Sequence, residues 1–147
     1  MKIIETTWNA KTRILNTQLK GRVSEKDAAA WELSLDHALK LIPANTEFKI
    51  LLDLDGFEPE NIQAHKAMRN IIPFLLARHG LRPAFIDLFD EKPELPIKIT
   101  NGIRCTAFAN VHHDRNKMAE YRKRIGQKNQ QFFTDSIKAQ DWLLSLP

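Results

Sequence analysis

The sequence predicts an α/β fold, in which a mainly parallel central sheet of four to five strands, with one antiparallel edge, is covered by about four helices. Strand-like and helix-like segments alternate along the chain, which is typical of parallel sheets whose strands are connected by helices. Residues 48–54 are almost continuously apolar, as in a strand that is buried on both faces. The chain has 147 residues, so we expect residues 1–147 to form a single domain.

The antiparallel edge is expected from a hairpin at the start of the chain. Residues 2–8 and 13–20 are two strand-like segments joined by a turn-like sequence, and Gly21 is expected to end the second strand. Ser24 is followed three residues later by Asp27, which is close to an N-terminal capping box. The first helix should therefore begin there, and Pro43 should end it.

A second helix is predicted after the central strand. We expect residues 55–59 to be a loop, Pro59 to suit the first helical turn, and the helix to begin near Glu60. Pro73 lies inside the helical pattern and should kink or split it near Asn70.

The remainder of the chain is expected to add two strands and two helices. Residues 81–102 are interrupted by prolines and are interpreted as an inserted hairpin or lid, with candidate strands at 84–89 and 97–100. The later elements are a strand at 103–111 with Cys105 and Ala107 on one face, a helix at 115–126, a strand at 130–133 and a helix from 136 to 144.

Composition excludes several classes of protein. Hydrophobic residues make up 43% of the chain, yet no apolar run approaches the roughly 18–20 residues of a membrane span. The N-terminus lacks the apolar core of a secretory signal, so we expect a cytoplasmic protein. The lone Cys105 can form no internal disulfide and is a poor basis for a metal site. No cofactor-binding motif occurs, and no cofactor is predicted.

Three local sequences, in the right order, resemble the STAS fold and most closely its bacterial SpoIIAA-like branch. Residues 19–24, followed by Asp27, Ala28 and Trp31, are similar to the family's entry into its first helix. Residues 50–54 followed by Gly56 and Phe57 resemble its central strand and functional loop. The ending with Phe133, Ala139, Trp142 and Leu143 is similar to that branch's last strand and helix.

The resemblance implies a regulatory module that binds and does not catalyse. Sporulation-type members carry a phosphorylatable Ser after the central strand, but residues 53–68 contain no Ser or Thr. Glu58 and Glu60 stand in that neighbourhood, either as a permanent imitation of phosphoserine or as acids that favour the positive end of a helix dipole. The resemblance therefore implies binding of a protein partner or a small hydrophobic or lipid ligand.

The predicted binding site is the loop after the central strand, the start of the next helix and the end of the following strand. Phe57 would supply an apolar contact, Asn61 and His65 hydrogen bonds, and Glu58 and Glu60 charge for a basic partner. The full set is Asp55, Gly56, Phe57, Glu58, Glu60, Asn61, His65, Asn110 and His112. No metal-binding residues are predicted.

Three alternatives stay open. A metal-dependent hydrolase could use the acids and histidines of this region, namely Asp53, Asp55, Glu58, His65 and His112. Residues 115–128 hold six bases and one acid and could contact nucleic acid, although few aromatic residues accompany them. The wide apolar surface of the second helix could line a pocket or a homodimer contact together with Phe85 and Phe89.

Overall fold

Residues 2–89 and 93–147, which the computed structural model describes, form a mixed six-stranded sheet and the helices that cover it. In chain order the elements are β1 (Ile3–Asn9), β2 (Ile14–Val23), α1 (Glu25–Leu39), β3 (Glu47–Leu54), β4 (Phe57–Pro59), α2 (Ile62–Arg69), α3 (Ile71–Arg78), a 3-10 helix (Ala84–Leu88), β5 (Arg104–His112), α4 (Arg115–Ile125), β6 (Gln130–Phe133) and α5 (Ser136–Ser145). The main path of the sheet runs β1-β2-β3-β5-β6, and β4 pairs with β2.

The predicted α/β fold is confirmed. β1 is an antiparallel edge, while the pairs β2–β3, β3–β5 and β5–β6 are parallel. β3 is the central strand, as expected, and both of its faces are buried. No helix formed by residues 2–89 or 93–147 combines the length and the apolar character that crossing a membrane requires.

The two faces of the sheet are covered unequally. The larger core packs α1, α2, α3, α4 and the 3-10 helix against one face, where Trp31, Phe48 and Phe108 are almost completely buried. The smaller core lies under α5 on the opposite face and contains Leu51 and Ala109. The four-helix face and the α5 face are therefore different environments, and the side on which a polar residue lies decides what it can contact.

The helix boundaries follow from local chemistry. The Ser24 hydroxyl accepts the backbone N–H of Asp27 at 3.1 Å and the Asp27 carboxylate accepts that of Ser24 at 2.9 Å, so the predicted capping box is present. The predicted break near Asn70 is confirmed, since Asn70 separates α2 from α3. Because Pro73 has no backbone N–H and lies in the first turn of α3, the break places it where a donor is not needed.

Two predictions around Gly21 are wrong. Gly21, at φ +86°, does not end β2; its N–H donates to the carbonyl of Gly56 at 3.0 Å, and β2 continues to Val23. Residues 21–23 pair with β4, which occupies most of the expected loop and includes Pro59. The next helix therefore begins at Ile62 rather than near Glu60.

The expected insert is part of the core. Ala84–Leu88 is a 3-10 helix and not a strand, and Leu81, Phe85 and Ile86 are buried. Residues 97–100 form only isolated bridges, Ile99 with His79 and Thr100 with Ile103. The hairpin expected at 84–89 and 97–100 does not form among the described residues, because the prolines and the buried apolar side chains favour a tight turn against the helices. Residues 90–92 of the predicted insert lie outside the described residues.

A β-bulge in β5 changes the side of the sheet on which its residues lie. Phe48 pairs with Cys105, but the next residue, Lys49, pairs with Ala107, so Thr106 is the extra residue. Cys105 therefore belongs to the larger core with Phe108, while Ala107 and Ala109 belong to the smaller one. The prediction that Cys105 and Ala107 share a face is wrong for this reason.

Replacing Thr17 by Val should destabilise the fold. The buried Thr17 Oγ1 accepts the indole N–H of Trp31 at 2.7 Å and lies 2.8 Å from Thr6 Oγ1. Thr17→Val keeps the side-chain shape but leaves a buried N–H without an acceptor, at a cost of about 1–3 kcal/mol. Urea unfolding should show that loss, whereas the same change at exposed Thr7 should leave the free energy of unfolding nearly unchanged; equal effects at both positions would contradict the assignment.

Candidate functional site

The clearest cavity lies on the four-helix face, beside the carboxyl ends of β3 and β5. Its volume is about 110 Å³. Open α/β sheets commonly bind ligands at this edge of the sheet. The lining residues are Trp31, Leu52, Leu54, Phe57, His65, Met68, Arg69, Ile72, Pro73, Phe85, Phe89, Asn110, His112, Lys117, Met118 and Tyr121.

Most of the wall is apolar and is built from several strands and helices. β3 contributes Leu52 and Leu54, which face the same side because they are two residues apart. Met68 lies on α2 and Ile72 on α3, so the helix break at Asn70 lies inside the wall. The indole of Trp31 presents no unsatisfied donor to the cavity because its N–H is already bonded to Thr17.

β5 contributes two polar side chains to the wall, Asn110 and His112. Asn110 and His112 are two residues apart beyond the bulge, on the face that also carries Phe108. Asn110 is 7% exposed, and its Oδ1 is buried without a hydrogen-bond partner among the described residues. Because a buried amide oxygen normally has a partner, this atom marks a place where a polar group is missing.

Hydrogen bonds fix the orientation of the His112 ring. Its Nδ1 accepts the backbone N–H of Asp114 at 3.0 Å, so the neutral ring carries its proton on Nε2. The ring stacks on that of His113 with centroids 4.2 Å apart, and His113 Nδ1 accepts the backbone N–H of Gly56 at 3.0 Å. The loop after β3 is thereby joined to the end of β5.

Positive side chains lie close enough to the histidines at the cavity mouth to lower their pKa values. Burial, followed by the nearby positive charge of Lys117 and then by His113, lowers the pKa of His112 to about 4, and Asp114 and Asp55 oppose this more weakly. Desolvation, with the charges of Arg69 and Lys117, also lowers the pKa of His65. Both rings are therefore neutral at pH 7 and remain available as hydrogen-bond donors.

Four of the nine predicted site residues line the cavity: Phe57, His65, Asn110 and His112. The other five lie on the loop around it. Asn61 caps α2, with its Oδ1 accepting the N–H of Ala64 at 2.8 Å. Glu58 lies in β4 and Glu60 precedes the cap, so neither is in the first turn of α2, and both are exposed. The expected stabilisation of a helix dipole by these acids is therefore wrong.

The residues of the hydrolase alternative are divided between the two faces of the sheet. The Asp53 carboxylate lies 3.0 Å from the Lys20 ammonium and accepts the N–H of Asp55, on the side of Leu51 and α5. His65 and His112 lie on the opposite side. Asp55 does not share the face of Asp53, since it lies in the exposed turn after β3. Within residues 2–89 and 93–147 no three His, Cys, Asp or Glu side chains are placed to hold a metal ion.

The bases of α4 do not form one uniform surface. Lys117 lines the cavity and lies 5.6 Å from the Tyr121 ring centroid. Arg122 instead packs over Phe133 and donates to the carbonyl of Phe132 at 3.2 Å, and Arg124 lies 3.8 Å from Glu120. The charge that is concentrated in the sequence is thus divided among several contacts.

Sequence reasoning missed the α4 side of the site. Lys117, Met118 and Tyr121 line the cavity, whereas the sequence predicts only that they belong to a helix rich in bases. A signal was present: Met118 and Tyr121 are three residues apart and Lys117 is four residues before Tyr121, so one helix face carries apolar and cationic groups together.

Comparison with protein-family models, with curated proteins and with solved structures finds no match to this chain. The description of the site therefore depends on its own geometry.

Acid should destabilise the protein through its low-pKa histidines. His112 gains a proton near pH 6.5 when unfolded but only near pH 4 when folded, so the unfolded state binds more protons between these values and the free energy of unfolding falls as the pH is lowered through them. His65 and His79, whose pKa values are also lowered mainly by burial, add to the effect.

Urea midpoints at pH 7, 6 and 5 would measure this dependence. His112→Asn keeps an acceptor for the Asp114 N–H and removes the titrating ring. The urea midpoint of the variant should therefore fall less between pH 7 and pH 5 than that of the wild type, and the remaining fall should come from His65 and His79. A midpoint that falls equally steeply in wild type and variant would contradict the assignment to His112.

Proposed function

We propose that this protein is a non-catalytic ligand-binding module that takes a small, largely apolar molecule into the cavity on its four-helix face. The observation that carries the proposal is the composition of the wall: apolar side chains from β3, α2, α3 and α4 surround a single buried amide, Asn110, whose Oδ1 has no partner among the described residues. Apolar pockets with a few convergent polar groups are typical of small-molecule sites.

The size of the cavity favours a compact ligand. An engineered apolar cavity of about 150 Å³ binds benzene, whereas drug-sized ligands occupy roughly 300–1,000 Å³. At about 110 Å³, this cavity is smaller than either, so we expect it to take at most one ring or a short branched chain, with the polar group extending past the exposed His65 and Lys117. A lipid chain would need more space, so we favour the small-ligand form of the hypothesis.

Two features favour binding over catalysis. The Nδ1 of His112 is occupied by the Asp114 backbone and its ring is neutral at pH 7, which fits a hydrogen-bonding role. Asp53, the last acid within the central strand, is engaged with Lys20 on the other face. Asp53 and His112 are therefore not aimed at a common reacting atom.

The STAS and SpoIIAA-like assignment is part of the proposal. Its support is the order of the three similar sequences and an α/β sheet in which the loop after β3 borders the cavity. The contact of the Gly56 N–H with His113, beside His112, offers a route by which ligand binding would change the exposed residues of the segment 55–61. A regulatory protein partner would then bind that loop and detect whether the cavity is filled.

Filling the cavity with a larger side chain should abolish binding. Met68→Trp extends a wall residue into the space that a ligand would occupy. Saturation-transfer NMR with benzoate, benzamide and benzylamine should detect binding of at least one of these single-ring probes to the wild type and of none to the variant.

Leu33→Trp is the matched control, because Leu33 is 55% exposed on α1 and does not line the cavity. It should bind the probes as the wild type does, and urea midpoints should verify that both variants are folded. Retained binding in a folded Met68→Trp variant, or no binding of any probe to the wild type, would overturn the proposed function.

A further inference from the structure

The polar groups around the cavity have a common character. Lys117 is cationic, His65 and His112 are neutral donors, and Asn110 carries an amide; none of the described lining residues is acidic. The Asp55 and Asp114 carboxylates lie close enough to influence His112, but less strongly than Lys117 does. The strongest single charge acting on His112 is therefore positive, which favours a negative group beside it.

The Asn110 amide is the polar group inside the cavity beside which a negative group would bind. Its amide is 7% exposed and its Oδ1 has no partner among the described residues. The oxygen and nitrogen of an amide exchange places by rotation of the group, so Asn110 can present either an acceptor or an N–H donor to a bound molecule. His112, two residues along the same face of β5, offers its Nε2–H as a second donor.

The helix N-termini near the site favour a carboxylate over a phosphate as the bound anion. Phosphate groups commonly bind the exposed backbone N–H groups at a helix N-terminus. At α4 this position is already occupied, because the Asp114 carboxylate accepts the Lys117 N–H at 3.0 Å. At α2 the Asn61 side chain accepts the Ala64 N–H. A singly charged carboxylate, which needs fewer donors, fits the remaining side-chain groups.

We infer that the ligand is a small organic acid, with its carboxylate between Lys117 and the Asn110–His112 pair and its apolar body against Leu52, Met68 and Ile72. This inference rests on the proposed function, since it names the chemical class of the molecule that the same cavity takes. The carboxylate would pair with the Lys117 ammonium and accept hydrogen bonds from Asn110 and the neutral His112, and the ring would fill the apolar space.

The test compares probes that share one ring and differ in charge. Calorimetric titration at pH 7 should show that benzoate binds about tenfold more tightly than benzamide, as a charge-assisted hydrogen bond does relative to a neutral one. Benzylamine, with the opposite charge, should bind most weakly. Phenyl phosphate tests the other anion class and should bind less tightly than benzoate.

Lys117→Met should remove most of the preference for benzoate while leaving the affinity for benzamide nearly unchanged. The side chain of Lys117 is exposed, its contact on α4 is with the Tyr121 ring, and the N–H that Asp114 caps belongs to the backbone, so the fold should tolerate the change. Lys123→Met is the matched control, an exposed base on the same helix that does not line the cavity, and it should leave the preference intact.

The outcomes separate the two proposals. Benzamide binding as tightly as benzoate, or equal loss of preference in Lys117→Met and Lys123→Met, would overturn the acid inference and leave the ligand-binding function in place. Tighter binding of phenyl phosphate would replace carboxylate by phosphate as the ligand class and so overturn the inference as stated. Failure of all four probes to bind would overturn the proposed function, and the inference with it.

Discussion

The site depends on the bulge in β5 more than on any other feature. β3 and β5 form a parallel pair that is buried on both faces, and the extra residue Thr106 shifts their register after Phe48. Strict alternation from Cys105 would turn Asn110 and His112 towards α5. Because of the bulge, these two residues join Cys105 and Phe108 on the four-helix face, where α2 and α4 lie close enough to enclose them.

Elements that depend on local chemistry could be predicted from the sequence. The capping box at Ser24, the break at Asn70 and the four residues of β6 follow from side chains a few positions apart, and the structure agrees at each. β4 could not be predicted in this way, because three residues form a strand only when residues 21–23 supply the partner. The 3-10 helix at 84–88 depends similarly on burial of Phe85 against Phe108, with ring centroids 5.9 Å apart.

The same difference between local chemistry and tertiary packing applies to the candidate site. His65, Asn110 and His112 were predicted because they follow or begin elements at one edge of the sheet. Glu58 and Glu60 were predicted only because their segment resembles a loop that carries a phosphorylatable serine in SpoIIAA-like proteins, yet they are exposed and precede the helix cap. Lys117 was not predicted, since no pattern in a basic helix distinguishes the base that faces a cavity from those that face solvent. Tertiary packing alone makes that distinction.

The central claim is that the cavity on the four-helix face is a binding site, and methionine methyl NMR tests it most directly. Met68 on α2 and Met118 on α4 both line the cavity from different helices. In protein labelled with ¹³C at the methionine methyl groups, titration with benzoate should shift both resonances along one saturable curve, because one bound ring contacts both walls. Binding of benzoate that leaves both resonances unmoved would contradict the account.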